Sequence, residues 1–222
     1  MNRLVALLFL LGAATAHAAP VPIFDGKSLA GWEGDAKLWR VEDGMITGGS
    51  LTEKVAHNDF LATVKSYANF ELRVKLKLSG SEGFINSGVQ IRSRALAEES
   101  VETWNGKAVK FKPGVVHGLQ VEIDPSARAW SAGIHCEGGG GWLNDLKANE
   151  PARQAFHQGE WNRMRIEAKG DSIKTWLNGV PAADLQNGVI SKGFIGLQVH
   201  GIGKRTDVLQ VRFRNLRLQV LP

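Results

Sequence analysis

The chain has 222 residues, with 27 Lys and Arg against 22 Asp and Glu, and a single cysteine, Cys136. One cysteine excludes an intrachain disulfide, and a chain of this length can build one well-cored domain without such staples. The net charge of +5 is modest, and the basic residues are interleaved with acids along alternating segments instead of forming one stripe, which speaks against a nucleic-acid partner.

From the N-terminus, residues 1–18 place Arg3 ahead of an apolar run, Leu4 to Leu11, and lead through small residues to Ala16-His17-Ala18. That is the layout of a secretory signal peptide cleaved near Ala18, and it predicts a periplasmic or secreted protein. The run is shorter than the roughly 20 apolar residues of a membrane span, and the lack of an amphipathic helix disfavours a membrane partner. Residues 19–222 contain no repeat, linker or composition shift and are read as one domain.

Strict alternation of apolar and polar residues predicts strands at 71–78, 86–93, 118–124, 162–169, 172–177, 194–200 and 209–213. Between the second and third, residues 95–115 break the rhythm and read as a long excursion with a turn at Trp104-Asn105-Gly106. Asn178-Gly179 is the pair preferred by a two-residue hairpin. The one helical stretch is short, around NEPARQAF, with Asn149 placed to cap it and Pro151 in its first turn. An all-β sandwich of two antiparallel sheets follows, because each strand has one apolar face to bury.

The polar faces fall into two kinds. Strands 71–78 and 162–169 carry Arg73, Lys75, Lys77, Arg163, Arg165 and Lys169 with a few acids, the pattern of solvated surface. Three other strands carry no lysine on the polar face. Period two puts Asn86, Gly88, Gln90 and Arg92 together, then Gly118, Gln120, Glu122 and Asp124, then Phe194, Gly196, Gln198 and His200. Amides, carboxylates, an imidazole and small glycines suit a sugar site, where hydroxyls need both donors and acceptors.

Eight segments in order carry a family resemblance: FDGKSLAGW, WRVEDGMITG, YANFELRVK, NSGVQIRS, GLQVEIDPSARAWSAGI, GEWNRMRIEAKGDSIKTWLNG, GFIGLQVHG and VRFRNLRL. On them the chain resembles the 3-keto-disaccharide hydrolase domain family. The resemblance implies a concanavalin A-like jelly-roll sandwich whose concave face binds sugar, with no nucleotide cofactor of its own. It also implies a substrate, an oxidised (3-keto) glycoside, prepared by a separate sugar dehydrogenase upstream. A C3 ketone acidifies the C2 hydrogen, so a base can remove it and the enolate can expel the C1 oxygen, after which water can add. Where similar sequences tend to carry Tyr-Asp and Arg-Arg-Gly, this chain reads His135-Cys136-Glu137 and four glycines before Trp142.

On this reading Glu122 and His200 exchange protons with the substrate and Arg92 binds the enolate oxygen. Asn86, Gln90, His117, Gln120, Asp124, Trp130, His135, Trp142 and Gln198 line the groove. His57 and His157 are read as surface, and Trp32, Trp39, Trp161 and Trp176 as core. Two other readings stand beside it: a non-catalytic carbohydrate-binding module, and a direct glucanase using Glu122 and Asp124, although Pro125-Ser126-Ala127 supplies no third acid. His135, Cys136 and Glu137 are consecutive and so point alternate ways, which speaks against zinc. Calcium stays open, but no ligand spacing demands it.

Overall fold

The computed structural model describes residues 19–80, 85–203 and 206–222; the expected signal peptide, 1–18, lies outside them. In chain order the elements are β1 (Val21–Pro22), β2 (Trp32–Glu33), β3 (Trp39–Glu42), β4 (Met45–Ser50), β5 (Asp59–Tyr67), β6 (Phe70–Gly80), β7 (Ser87–Ala95), β8 (Ser100–Trp104) and β9 (Lys107–Phe111). They continue with β10 (Val116–Ile123), β11 (Ile134–Glu137), β12 (Gly141–Asn144), α1 (Glu150–Arg153), β13 (Asn162–Lys169), β14 (Ser172–Leu177), β15 (Val180–Gln186), β16 (Gly193–Val199) and β17 (Leu209–Val220).

One sheet runs β15-β14-β13-β6-β17-β4-β3 with β1 also on β17; the other runs β12-β11-β10-β7-β16-β5-β2. All pairings are antiparallel. The chain is thus a jelly-roll-like sandwich of two large antiparallel sheets. Alternation builds its core: Leu72, Val74, Leu76 and Leu78 of β6 and Val211 and Phe213 of β17 belong to the same buried cluster as Val89 and Ile91 of β7, Leu119, Val121 and Ile123 of β10, and Leu197 and Val199 of β16. Each is at most 2% exposed.

Local signals hold where the backbone demands them. Asn178 and Gly179 both have positive φ, 51° and 91°, and close the β14–β15 hairpin as expected. The Asn149 side chain accepts a hydrogen bond from the Ala152 amide, capping α1 with Pro151 in its first turn. The excursion at 95–115 is a regular β8–β9 hairpin turning at Asn105-Gly106. Its missed strands are five residues each with only Trp104 and Phe111 buried, too short and exposed for alternation to show them.

Trp32 and Trp39 are core, as expected. Trp161 and Trp176 are not: they sit half-buried, each under a guanidinium, Arg214 and Arg165 respectively. A tryptophan under a stacked arginine can stay at a surface because the guanidinium covers its face.

Arg92 is the second correction, and its cause is a bulge. The β7 pairings shift between His117 and Leu119 on one side and between Phe194 and Gly196 on the other, and Arg92 has φ +48°. The extra residue breaks period two, so Arg92 turns away from the polar face. Its Nε donates to the Ala68 carbonyl and its Nη1 to the Gly170 carbonyl, both at 2.7 Å, and Nη2 donates to Asn69 Oδ1 at 3.3 Å. Ala68 and Asn69 lead into β6 and Gly170 joins β13 to β14, so the buried guanidinium ties the seven-stranded sheet to turns of the eight-stranded one. Glycines on both neighbouring strands make the bulge sterically possible. A Cβ at Gly193 would sit 2.3 Å from the Ser93 carbonyl oxygen, and one at Gly118 would sit 2.5 Å from Ser93 Oγ.

Arg92→Lys should therefore act on stability. An ammonium cannot reproduce the fork, and losing charge-assisted bonds in a buried setting costs about 2–4 kcal/mol. The expected outcome is a melting temperature lower by roughly 5–10 °C in calorimetry.

Candidate active site

The three strands with lysine-free polar faces are adjacent in the seven-stranded sheet, in the order β10-β7-β16. Their register aligns Glu122 with Gly88 and Gly88 with Gln198, and aligns Gln120 with Gln90 and Gln90 with Gly196. On the far side of β10, β11 sets His135 opposite Gln120, and β12 sets Trp142 opposite His135. A pocket of about 220 Å³ opens on this outer face, lined by Asn58, Asn86, Gln120, Glu122, Arg128, His135, Glu137, Trp142, Gln198 and His200.

Seven of the expected groove residues line it: Asn86, Gln120, Glu122, His135, Trp142, Gln198 and His200. Four others stand behind or beside it. Gln90 is fully buried and donates from Nε2 to Gln120 Oε1, while Ser93 Oγ donates to Gln90 Oε1. Gln120 in turn donates to Glu122 Oε2 at 2.8 Å. This chain of amides orients the Glu122 carboxyl from behind. Asp124 is buried and pairs with Arg128 at 2.9 Å, so it holds a wall residue and does not face the cavity. The Glu122–Asp124 pair expected of a glucanase is thereby taken apart. Trp130 packs edge-on to Trp142, with Arg128 lying 5.5 Å from both ring centres. His117 is buried at the β8–β9 hairpin, stacked on Phe111, with Nε2 3.1 Å from Glu102 Oε1.

Asn58, Arg128 and Glu137 were missed. Glu137 was legible: Ile134, Cys136 are fully buried, so period two must put His135 and Glu137 on the outer side together. Asn58 lies just before β5 and Arg128 in the loop after β10, where no periodicity applies. The glycine run makes the β11–β12 turn, and a Cβ at Gly140 would meet Cys136 Sγ at 2.3 Å. Cys136 itself is buried, its thiol pushed up to about 12 mainly by desolvation, and is chemically inert at neutral pH.

The electrostatics single out two carboxyls. Glu122 is 5% exposed and its carboxyl is pushed up to about 7, chiefly by burial, with Asp124 and Glu137 adding repulsion against the hydrogen bonds of Gln120 and Asn86. Burial also raises the Glu137 carboxyl, opposed by bonds from Asn58 and the Gly138 amide. His200 Nδ1 lies 2.6 Å from the Gly201 carbonyl oxygen, which can only accept, so Nδ1 carries a proton. Three buried atoms on the pocket wall, Asn86 Oδ1, Gln198 Oε1 and His135 Nδ1, have no hydrogen-bond partner among the described residues. They offer acceptor and donor capacity to a polyhydroxylated guest. Among the described residues no group of three or more His, Cys, Asp or Glu side chains is arranged to hold a metal ion.

A family model described as the 3-keto-alpha-glucoside-1,2-lyase-like domain matches residues 19–219. The chain belongs to this family. Membership in the lyase-like family supports a carbohydrate-active role. Among solved structures, the chain is similar to a candidate glycosyl hydrolase from Parabacteroides distasonis (21% identity, 91% of this chain, 94% of that one, TM-score 0.57). It is also similar to the carbohydrate-binding module CBM66 from Bacillus subtilis (17% identity, 85% and 95%, TM-score 0.58). A third likeness is to a Bacillus subtilis protein of unknown function with a galectin-like fold (12% identity, 91% and 96%, TM-score 0.59). These likenesses establish the sandwich fold. No curated protein matches the chain.

Glu122 makes stability depend on pH in a defined direction. Its carboxyl holds a proton more tightly in the folded chain, so its stabilising contribution is complete below the unfolded value of 4.5 and is lost as pH rises through about 7. Glu122→Gln removes the buried charge. Its melting temperature relative to wild type should therefore increase between pH 5 and pH 8, by several degrees for a cost on the order of 3 kcal/mol. Paired thermal melts at the two pH values check this.

Proposed function

We propose that the chain cleaves the glycosidic bond of 3-keto-glycosides by elimination across C1 and C2. The observation that carries the reading is a buried carboxyl on Glu122, shifted up to about 7, in the same small pocket as the His200 imidazole. A proton donor and a proton acceptor near neutral pH are what the reaction needs.

His200 Nε2 takes the C2 proton. The electron pair forms the C1–C2 double bond through the enolate, the C1–O bond breaks, and Glu122 delivers its proton to the departing oxygen. Water can then add to the unsaturated sugar. Arg92, buried between the sheets, has no part in this. Arg128 is the cation on the pocket wall, held by Asp124 and the Trp130 and Trp142 rings, and on this reading it balances the charge that develops on the C3 oxygen. The chain's own residues supply each proton, and a separate dehydrogenase would supply the ketone.

Glu122→Gln and His200→Ala should each lose on the order of 10²-fold or more in kcat on a 3-keto-glycoside while retaining sugar binding. The wild-type kcat/KM should fall on the alkaline side of about pH 7, where Glu122 gives up the proton it must donate. If both variants stay within a few-fold of wild type, these roles are wrong. A wild type inactive on keto-sugars that still binds glycans in calorimetry would make the chain a binding module.

A further inference from the structure

The opposite outer face of the sandwich carries a second feature. Residues that alternate with core positions on β6, β13 and β17 are brought into cross-strand register, and in two adjacent rows, beside a row of Glu167, Glu71 and Gln219, they are all cations. Arg163 pairs with Lys75, which pairs with Arg214; one row on, Arg165 pairs with Arg73, which pairs with Arg217. Like charges directly opposite one another destabilise a sheet by tenths of a kcal/mol per pair, so six in two adjacent rows run against the fold's own stability. Relief is slight. Glu71 pairs with Arg73 at 2.6 Å and Arg165 at 3.0 Å, and among the described residues no carboxylate lies within ion-pair distance of Lys75, Arg163, Arg214 or Arg217. The rows border a trough of about 560 Å³ whose walls include Arg73, Lys75, Arg163, Arg165, Trp176 and Arg217.

We propose that this trough binds an acidic polysaccharide, a linear chain bearing carboxylates on its sugar rings. Stacking on Trp176, at 3.4 Å, fixes Arg165 in the trough wall with its Nη1 on Glu71, and stacking on Trp161, at 3.9 Å, fixes Arg214 beside the trough. With Lys75, Arg163 and Arg217 they present fixed positive charge and planar forks, the shape that takes a carboxylate through two parallel hydrogen bonds. The regular spacing of the sheet, about 5 Å between strands and about 7 Å between alternate residues, repeats the positive charge along two directions and suits a polymer with regularly placed anions. Single-stranded nucleic acid is a poorer fit, because the two indole faces are already covered by guanidinia and offer no stacking platform to bases. An anionic membrane is poorer too: the strongly exposed large apolar residues, Val21, Leu51, Val64, Val101, Val115, Val189 and Val220, are none of them in the trough lining. Because the trough and the pocket lie on opposite sheets, a bound polymer leaves the pocket open. The chain would be held on an acidic matrix while its pocket works, whatever reaction the pocket performs.

The test uses the whole protein and polygalacturonate, measured by calorimetry at low and physiological salt, with neutral dextran, phosphatidylglycerol vesicles and duplex DNA in parallel. Binding to polygalacturonate should weaken about tenfold or more with salt, as expected when cations meet a polyanion. The triple variant Lys75→Gln, Arg163→Gln, Arg217→Gln should weaken it about tenfold or more at low salt, with an unchanged or raised melting temperature. A control with Lys54→Gln, Lys112→Gln and Lys192→Gln, exposed lysines outside the trough, removes the same charge and should bind as wild type. No binding at low salt overturns the proposal, as does equal weakening by the two triple variants. Equally tight, equally variant-sensitive binding to vesicles or DNA overturns the polysaccharide assignment.

Discussion

The long central strands of the sandwich must bury at least one side chain in two between the sheets, and that single demand organises both outer faces. Once Val89, Ile91, Leu119, Val121 and Leu197 are committed to the space between the sheets, their neighbours in sequence have nowhere to go but outward. Gln120, Glu122 and Gln198 are then collected on one outside, and Arg73, Lys75, Arg163 and Arg165 on the other. The apolar residues carry the free energy, at about 25 cal/mol per Å² removed from water. The polar residues inherit their positions from that burial, at a density the core sets and their own interactions would not choose.

The pocket face is polar yet buried, and this combination gives it chemical character. Gln90, Gln120, Glu122 and Gln198 are each at most 5% exposed although they lie on the outer side of the sheet, because the β11–β12 hairpin and the Arg128 loop rise beside them. A carboxyl in that setting resists ionisation. The amide chain from Ser93 through Gln90 and Gln120 satisfies its other hydrogen-bonding needs and holds its rotamer, so it is oriented as well as desolvated. Keeping such a group costs stability above neutral pH. A neutral amide of the same size would relieve that cost, so the carboxyl stands as a departure from what folding alone would select.

The opposite face shows the same tension in another form. There the mismatch is between like charges in register, partly offset by Glu71 and by tryptophan faces under guanidinia. Two faces of one small domain thus each hold an arrangement that lowers stability, one through desolvation and one through repulsion.

Alternation and turn chemistry in the sequence determined the all-β class, seven of the longer strands though not β5 or β15, the Asn178-Gly179 hairpin, the Asn149 cap and half of the pocket lining, because a period of two fixes a side chain's face from its neighbours alone. The same rule read at Ile134–Glu137 would have added Glu137. Tertiary structure alone decided which strands are neighbours, since order in the chain does not set order in a sheet. It therefore decided that Glu122 and Gln198 share one pocket across Gly88, and that cations which look interleaved along the chain become aligned across strands. It also decided Arg92. A bulge is accommodated by glycines at 118 and 193 on two other strands, so the break in period two at Arg92 depends on residues far away in sequence, and no local pattern can announce it.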